Sequence, residues 1–107
     1  MKKEYSIVLT TTASENIAEI LAEKIIKEKL AACIQIQKIK SIYKWQDNIE
    51  KTTEYLLLIK TRSELFEKIA KIIKQNHEYE IPEIIQVPIT NGLSEYIGWI
   101  DDSCARI

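Results

Sequence analysis

Two spacings of apolar residues alternate along the chain, one near every second position and one near every third or fourth. Residues 5–11, YSIVLTT, are β-branched and apolar and predict a strand. From Glu15 to about Leu30, Ile17, Ile20, Leu21, Ala22, Ile25 and Ile26 recur near helical spacing, with lysines and glutamates opposite. Thr12 and Glu15 have capping-box spacing before that helix, and Ser14 is a rival N-cap. Residues 32–45, ACIQIQKIKSIYKW, alternate as a strand. Ile34 and Ile36 share one phase, while Ile39, Tyr43 and Trp45 take the other. Such a switch predicts a bulge near Gln37–Lys38. The turn falls at Gln46-Asp47-Asn48, where Asp and Asn tolerate positive φ. Residues 49–60 return as the second arm of a long hairpin. A second helix runs to about Gln75 on Leu65, Phe66, Ile69, Ala70, Ile72 and Ile73. Residues 83–90, EIIQVPIT, predict a last strand, and SEYIGWIDD a short terminal helix with Ser94 as its cap.

The order is β-α-β twice over, with a helix appended. VLTTTASENI aligns with LLIKTRSELF, so that Thr61 and Glu64 repeat the spacing of Thr12 and Glu15. The match supports a duplicated unit. Two interleaved units predict an α+β, ferredoxin-like βαββαβ sandwich, with sheet order 4-1-3-2 and two helices on the sheet. Strand four is then an edge, the place where Pro88 does no harm. About thirteen residues in strand two would span roughly 43 Å at about 3.3 Å each. The hairpin must therefore overhang the sheet, with Tyr43 and Trp45 near its tip. An overhanging apolar ribbon predicts docking on another subunit, most simply in a closed symmetric oligomer.

Length and charge narrow the class. The 107 residues make one domain, 1–107, and 46% are hydrophobic. A net charge of −1 and a pI near 5.9 argue against nucleic acid or an anionic membrane as the main partner. The first and third strands also lack the Lys/Arg-Gly-aromatic pattern of an RNA-binding sheet. The two cysteines, Cys33 and Cys104, form no CxxC pair, and no apolar run approaches a spanning helix or a signal peptide. A cytoplasmic location is the expectation.

Candidate chemistry gathers in QNHEYEIPEIIQVP, which holds the only histidine, His77, both prolines, Pro82 and Pro88, and Glu78, Glu80 and Glu83. His77, just past helix two, reads either as a metal ligand or as a C-capping residue bonded to carbonyls. Glu83 is the best placed oxygen ligand, since Pro82 fixes its approach. Cys33 is a soft thiol ligand or a small buried hydrophobe, and Cys104 an exposed terminal thiol. Tyr43, Trp45, Tyr79, Tyr96 and Trp99, with Pro82, suit interface packing, or a ligand cleft between subunits. Lys60, Arg62 and Lys44 could bind an anion at the start of helix two. No nucleophile–base pair or Gly-rich phosphate loop is present, so an enzyme is not expected.

The runs EKLAACIQI, SIYKW, EYLLLIKT, HEYEIPEII and YIGWI, in this order, resemble the CutA family of divalent-cation tolerance proteins. The resemblance covers nearly the whole chain. It implies a fold close to that of the PII signalling proteins and a homotrimer bridged by its hairpins. It also implies a response to divalent metal ions, copper above all, and of the copper ligands proposed for bacterial relatives it carries over His77 alone. Together with the residue reading above, His77 and Glu83, with Cys33 as a third partner, are the candidate ligands for divalent copper. The alternative is a PII-like regulatory or scaffold trimer that takes an anion or a protein in its cleft. The family's HPYE reads HEYE here, with Glu78 in place of proline, and Asp47 stands where its hairpin tip has glycine. Two further positions, a cysteine and a histidine among proposed copper ligands of bacterial relatives, are Thr10 and Asn76.

Overall fold

A computed structural model describes residues 3–106. β1 (Tyr5–Thr12), α1 (Glu15–Lys27), β2 (Cys33–Trp45), β3 (Asn48–Arg62), α2 (Phe66–Asn76), β4 (Ile84–Ile89) and α3 (Ser94–Ser103) follow in that order. One turn of 3₁₀ helix, Ser63–Leu65, leads into α2. The antiparallel sheet runs β2-β3-β1-β4, the expected order, with β4 and Pro88 at an edge. The ferredoxin-like sandwich is therefore observed.

Alternation divides the sheet into two faces. Val8, Leu57 and Ile59 point to one of them and are fully buried with Ala18, Leu21 and Ile25 of α1 and Ile69 and Ile73 of α2. Pairing puts Ile7, Leu9, Leu56, Leu58, Ile85 and Val87 on the other face. No helix of the core layer covers that face. Its apolar side chains are only partly buried, and Ile85 and Val87 are exposed.

The hairpin arms are 13 and 15 residues long, against 8 in β1 and 6 in β4. The ribbon projects past the helices and gives the molecule a long axis of 46 Å. Gln46 and Asp47, both at positive φ, form its two-residue turn. No bulge interrupts β2, because pairing runs unbroken from Cys33 opposite Lys60 to Trp45 opposite Asn48. The phase switch has another cause. Ile34 packs against the helix-side core. Farther out there is no helix layer to receive side chains, so Ile39, Tyr43 and Trp45 face the other way.

The caps also depart from expectation. Ser14, not Thr12, caps α1 by accepting from the Ile17 N–H at 3.3 Å. Thr12 stays in β1, and its hydroxyl donates to the Ser14 carbonyl. Thr61 is buried and donates to the Leu30 carbonyl, so the second capping box does not form either. α1 stops at Lys27, three residues early. Lys29 takes positive φ, and the Leu30 N–H returns to the Ile25 carbonyl, which turns the chain into β2. Ser94 is the first residue of α3 rather than its cap, and Leu93 precedes it with no side-chain cap.

Thr10 points into the helix-side core. It is fully buried, and its hydroxyl has no partner among the described residues. Thr10→Val should therefore raise the unfolding free energy by about 1 kcal/mol, because it removes an unpaired buried hydroxyl at nearly constant volume. Chemical denaturation of both proteins at one chain concentration reads this directly, and a loss of stability would contradict it.

Candidate functional site

The segment after α2 crosses the end of β1 and forms one wall of a cleft on the uncovered side of the sheet. His77 begins this crossing. It occupies the C-cap position of α2, yet its ring serves the sheet rather than the helix. Nε2 lies 2.5 Å from the Thr11 carbonyl, and Nδ1 accepts the Tyr79 backbone N–H at 3.0 Å. Those partners fix the tautomer with the proton on Nε2. The His77 side chain is fully buried, and its ring packs on that of Tyr79 at a centroid distance of 4.8 Å. Next to it, Glu78 accepts the Ala13 backbone N–H at 2.7 Å and places a second oxygen 3.6 Å from Nδ1. Glu78 thus ties the crossing segment to the start of α1.

Tyr79 reaches farther and donates its hydroxyl to Glu54 of β3 at 2.8 Å. Glu54 is 8% exposed. Among the described residues no cation stands within ion-pair distance of it, and the Tyr79 hydroxyl is its one hydrogen-bond partner. Burial, and then the bond to Glu54, push the Tyr79 phenol well above its ordinary value of 10.0. A phenol held more tightly in the folded state contributes stability that is complete below pH 10.0 and lost as pH climbs through the folded-state value. Tyr79→Phe should therefore flatten the alkaline decline of stability. In a phenolate absorbance titration, the late-titrating phenol removed by that change should be Tyr79's. If the last phenol to ionise survives in the variant, Tyr79 is not the one held by burial and Glu54.

The cleft enclosed by these elements is about 750 Å³. Glu50 and Glu54 on β3, Glu78, Glu80 and Glu83 on the crossing segment, and the rings of Tyr43, Trp45 and Tyr79 line it, with Thr11 and Ile81. Among the described residues no lysine, arginine or histidine does. Tyr43 and Trp45 thus sit with Tyr79 in a cleft formed within one chain. Pro82 flanks the cleft without lining it. Tyr96 and Trp99 do not belong there. Their rings lie 5.5 Å apart on α3, where Lys60 Nζ donates to the Tyr96 hydroxyl. Lys60 pairs with Cys33 and Ile7, toward the far end of the sheet from the hairpin tip.

The three expected metal ligands do not converge. Thr11, which holds His77, pairs with Leu56, level with Gln37. Cys33 is four residues back along β2, about 13 Å at 3.3 Å per residue, and two strands across. Glu83 is exposed on the cleft rim. Both nitrogens of His77 are in use. Among the described residues no group of three His, Cys, Asp or Glu side chains is placed to hold one metal ion. These residues do not fit a copper centre. Asn76 donates its side-chain amide to the Ile72 carbonyl of its own helix.

The anion site expected from Lys44, Lys60 and Arg62 is absent as well. Lys44 is at the exposed hairpin tip, and Lys60 is bonded to Tyr96. Arg62 is buried, and its guanidinium donates to the carbonyls of Asp101, Cys104 and Ala105 and to Glu64. Cys104, expected to be exposed, is 5% exposed in the core.

With the fold and the cleft described, comparison with known proteins is decisive. Residues 6–103 match the family model of the CutA1 divalent ion tolerance protein. The chain belongs to the CutA1 family. It is 40% identical over 98 residues to the chloroplastic CutA protein of Arabidopsis thaliana, covering 91% of this chain and 54% of that one. The divalent-cation tolerance protein CutA of Archaeoglobus fulgidus is 38% identical, with 92% and 97% covered. This CutA chain thus spans about half of the plant relative and nearly all of the archaeal one. The crystal structure of CutA1 from Oryza sativa superposes with a TM-score of 0.93 at 37% identity, with 97% and 96% covered.

The sequence reading singled out Glu78, Glu80 and Glu83 but missed Glu50 and Glu54, which lie on β3 outside the histidine segment. One signal was available. Glu50 and Glu54 share a phase in β3, and the turn places that phase on the same side as Tyr43 and Trp45.

Proposed function

We propose that this CutA chain acts as a non-catalytic homotrimer in the cellular response to divalent cations. The observation that carries the reading is the sheet face left without a helix layer. Ile7, Leu9, Leu56, Leu58, Ile85 and Val87 form an apolar surface continuous with an overhanging ribbon whose Tyr43, Trp45, Ile42 and Ile49 are exposed. Surfaces of this kind mark protein–protein contact. The relatives' names supply the connection to divalent cations. Two free thiols suit a reducing cytoplasm. No described helix is long and apolar enough to cross a membrane.

Divalent copper has one imidazole to bind in each subunit, and binding at Nδ1 would displace the Tyr79 N–H. Light scattering should give about three times the 12.4 kDa chain mass. Calorimetric titration with divalent copper should then give weak heats without saturation near one ion per subunit, unchanged in His77→Gln. A monomer would overturn the trimer. Tight binding near one per subunit that is lost in the variant would restore His77 as a metal ligand.

A further inference from the structure

The net charge of −1 conceals an uneven surface. Beyond Thr12 opposite Tyr55, where β1 ends, the hairpin runs on as a free ribbon. Pairing shows what its helix side carries. Lys40 lies opposite Thr53, Ile42 opposite Lys51 and Lys44 opposite Ile49, in the phase of Leu57 and Ile59. All six are exposed, Ile42 to 62% and Ile49 to 74%. Each isoleucine thus faces a lysine across the ladder, and no acid shares this side of the ribbon. Among the described residues the one ion pair here is Lys44 with Asp47, at 3.9 Å in the exposed turn.

A partner for this surface must be anionic and must also receive two aliphatic side chains. Nucleic acid would neutralise the lysines and leave the isoleucines unmatched. It would also find no ring to stack on, because Tyr55, the one aromatic on this side, packs against the core. An anionic bilayer meets both needs. Isoleucine ends can enter the acyl boundary while lysine stems lie along them and hold their ammonium groups at phosphate level. We propose that Lys40, Lys44 and Lys51, set around Ile42 and Ile49, form a contact surface for anionic phospholipid bilayers, which the chain touches without spanning. Pairing is unbroken out to Trp45 opposite Asn48, so the surface is preformed and little ordering is needed on contact. Tyr43, Trp45 and the uncovered sheet face lie on the opposite side of the ribbon. Subunits that join through that face leave the lysine side free. The attraction is local, reaching about one Debye length, so the net charge of the chain does not cancel it.

Vesicle co-sedimentation tests it, with phosphatidylcholine vesicles that contain or lack phosphatidylserine. One variant carries Lys40→Gln, Lys44→Gln and Lys51→Gln. A second, of the same net charge, carries Lys68→Gln, Lys71→Gln and Lys74→Gln on the exposed side of α2. A third carries Ile42→Ser and Ile49→Ser. Circular dichroism and light scattering first establish that each keeps the wild-type fold and mass. Wild type should bind the phosphatidylserine vesicles at least about tenfold more tightly than the neutral ones, and added salt should weaken that binding. The hairpin lysine variant and the isoleucine variant should each lose at least about fivefold, and the α2 variant less than about twofold. Inorganic phosphate at matched ionic strength should displace nothing. A wild-type chain that ignores the anionic vesicles, or equal losses in the two lysine variants, would overturn the proposal. So would an isoleucine variant that binds as wild type while duplex RNA strips the wild-type chain from vesicles, since the surface would then read charge alone.

Discussion

Arg62→Met should lower the unfolding free energy by at least about 3 kcal/mol, more than any exposed-charge substitution in this chain. The Arg62 side chain is 2% exposed. It donates to the Asp101 carbonyl at 3.2 Å, to the Cys104 carbonyl at 3.4 Å and to the Ala105 carbonyl, and so fastens the end of α3 to the end of β3. Methionine refills much of the volume but removes the guanidinium from three carbonyls, of which Asp101's keeps the Cys104 N–H at 3.4 Å, and from the Glu64 carboxylate. Each hydrogen bond to a charged group contributes about 1.5–3 kcal/mol, so partial rehydration of the tail still leaves a large loss. The Asp101 carboxylate is less affected. Burial alone would push it up, but bonds from Lys3, Tyr5 and Arg106 outweigh burial and hold it below the ordinary carboxylate range. Denaturant unfolding at one fixed chain concentration measures the change, since assembly and folding are linked. Lys3→Met, which alters a pair 56% exposed on the lysine side, is the control and should cost less than about 1 kcal/mol. If Arg62→Met costs no more than the control, the tail is not held by this residue.

Leu58→Glu should have the largest effect on assembly. Leu58 pairs with Leu9, which also pairs with Ile85, at the centre of the uncovered sheet face. In an isolated subunit this side chain is half-buried, and a glutamate there could reach water at modest expense. In a trimer closed over the face, the same carboxylate would be buried without a cation. That penalty is several kcal/mol per interface and would be repeated at each of them. The expected result is a shift from trimer to monomer at concentrations where wild type is fully assembled. Sedimentation reads the mass, and circular dichroism confirms that the β-sheet survives. A Leu58→Glu chain that still sediments as a trimer would show that this face is not what the subunits share.

The order of elements, the sheet order and the overhanging hairpin were legible because each depends on local spacing and strand length. Period-two runs at residues 5–11 and 32–60, and a helical period between them, leave few arrangements that bury one apolar face. Pro88 added a topological constraint through its missing N–H. What spacing could not supply was the identity of each polar group's partner. Thr12 and Thr61 look like helix caps by spacing, yet one bonds to the Ser14 carbonyl and the other to Leu30's, 31 residues away. His77 looks like a ligand or a C-cap, and its partners turn out to be a carbonyl on β1 and the next-but-one N–H. The bulge inferred at Gln37–Lys38 mistook a change in what the strand faces for a change in its pairing.

By itself, then, the sequence determined the family, the βαββαβ frame and the overhanging hairpin, because periodicity and motif order are properties of the chain. The tertiary structure alone decided that His77 and Cys33 lie apart, that Arg62 fastens the tail, and that Glu54 is buried beside Tyr79 without a counter-charge. Those outcomes depend on distances between residues remote in sequence. Such distances are set when the sheet pairs and the segment after α2 crosses the end of β1.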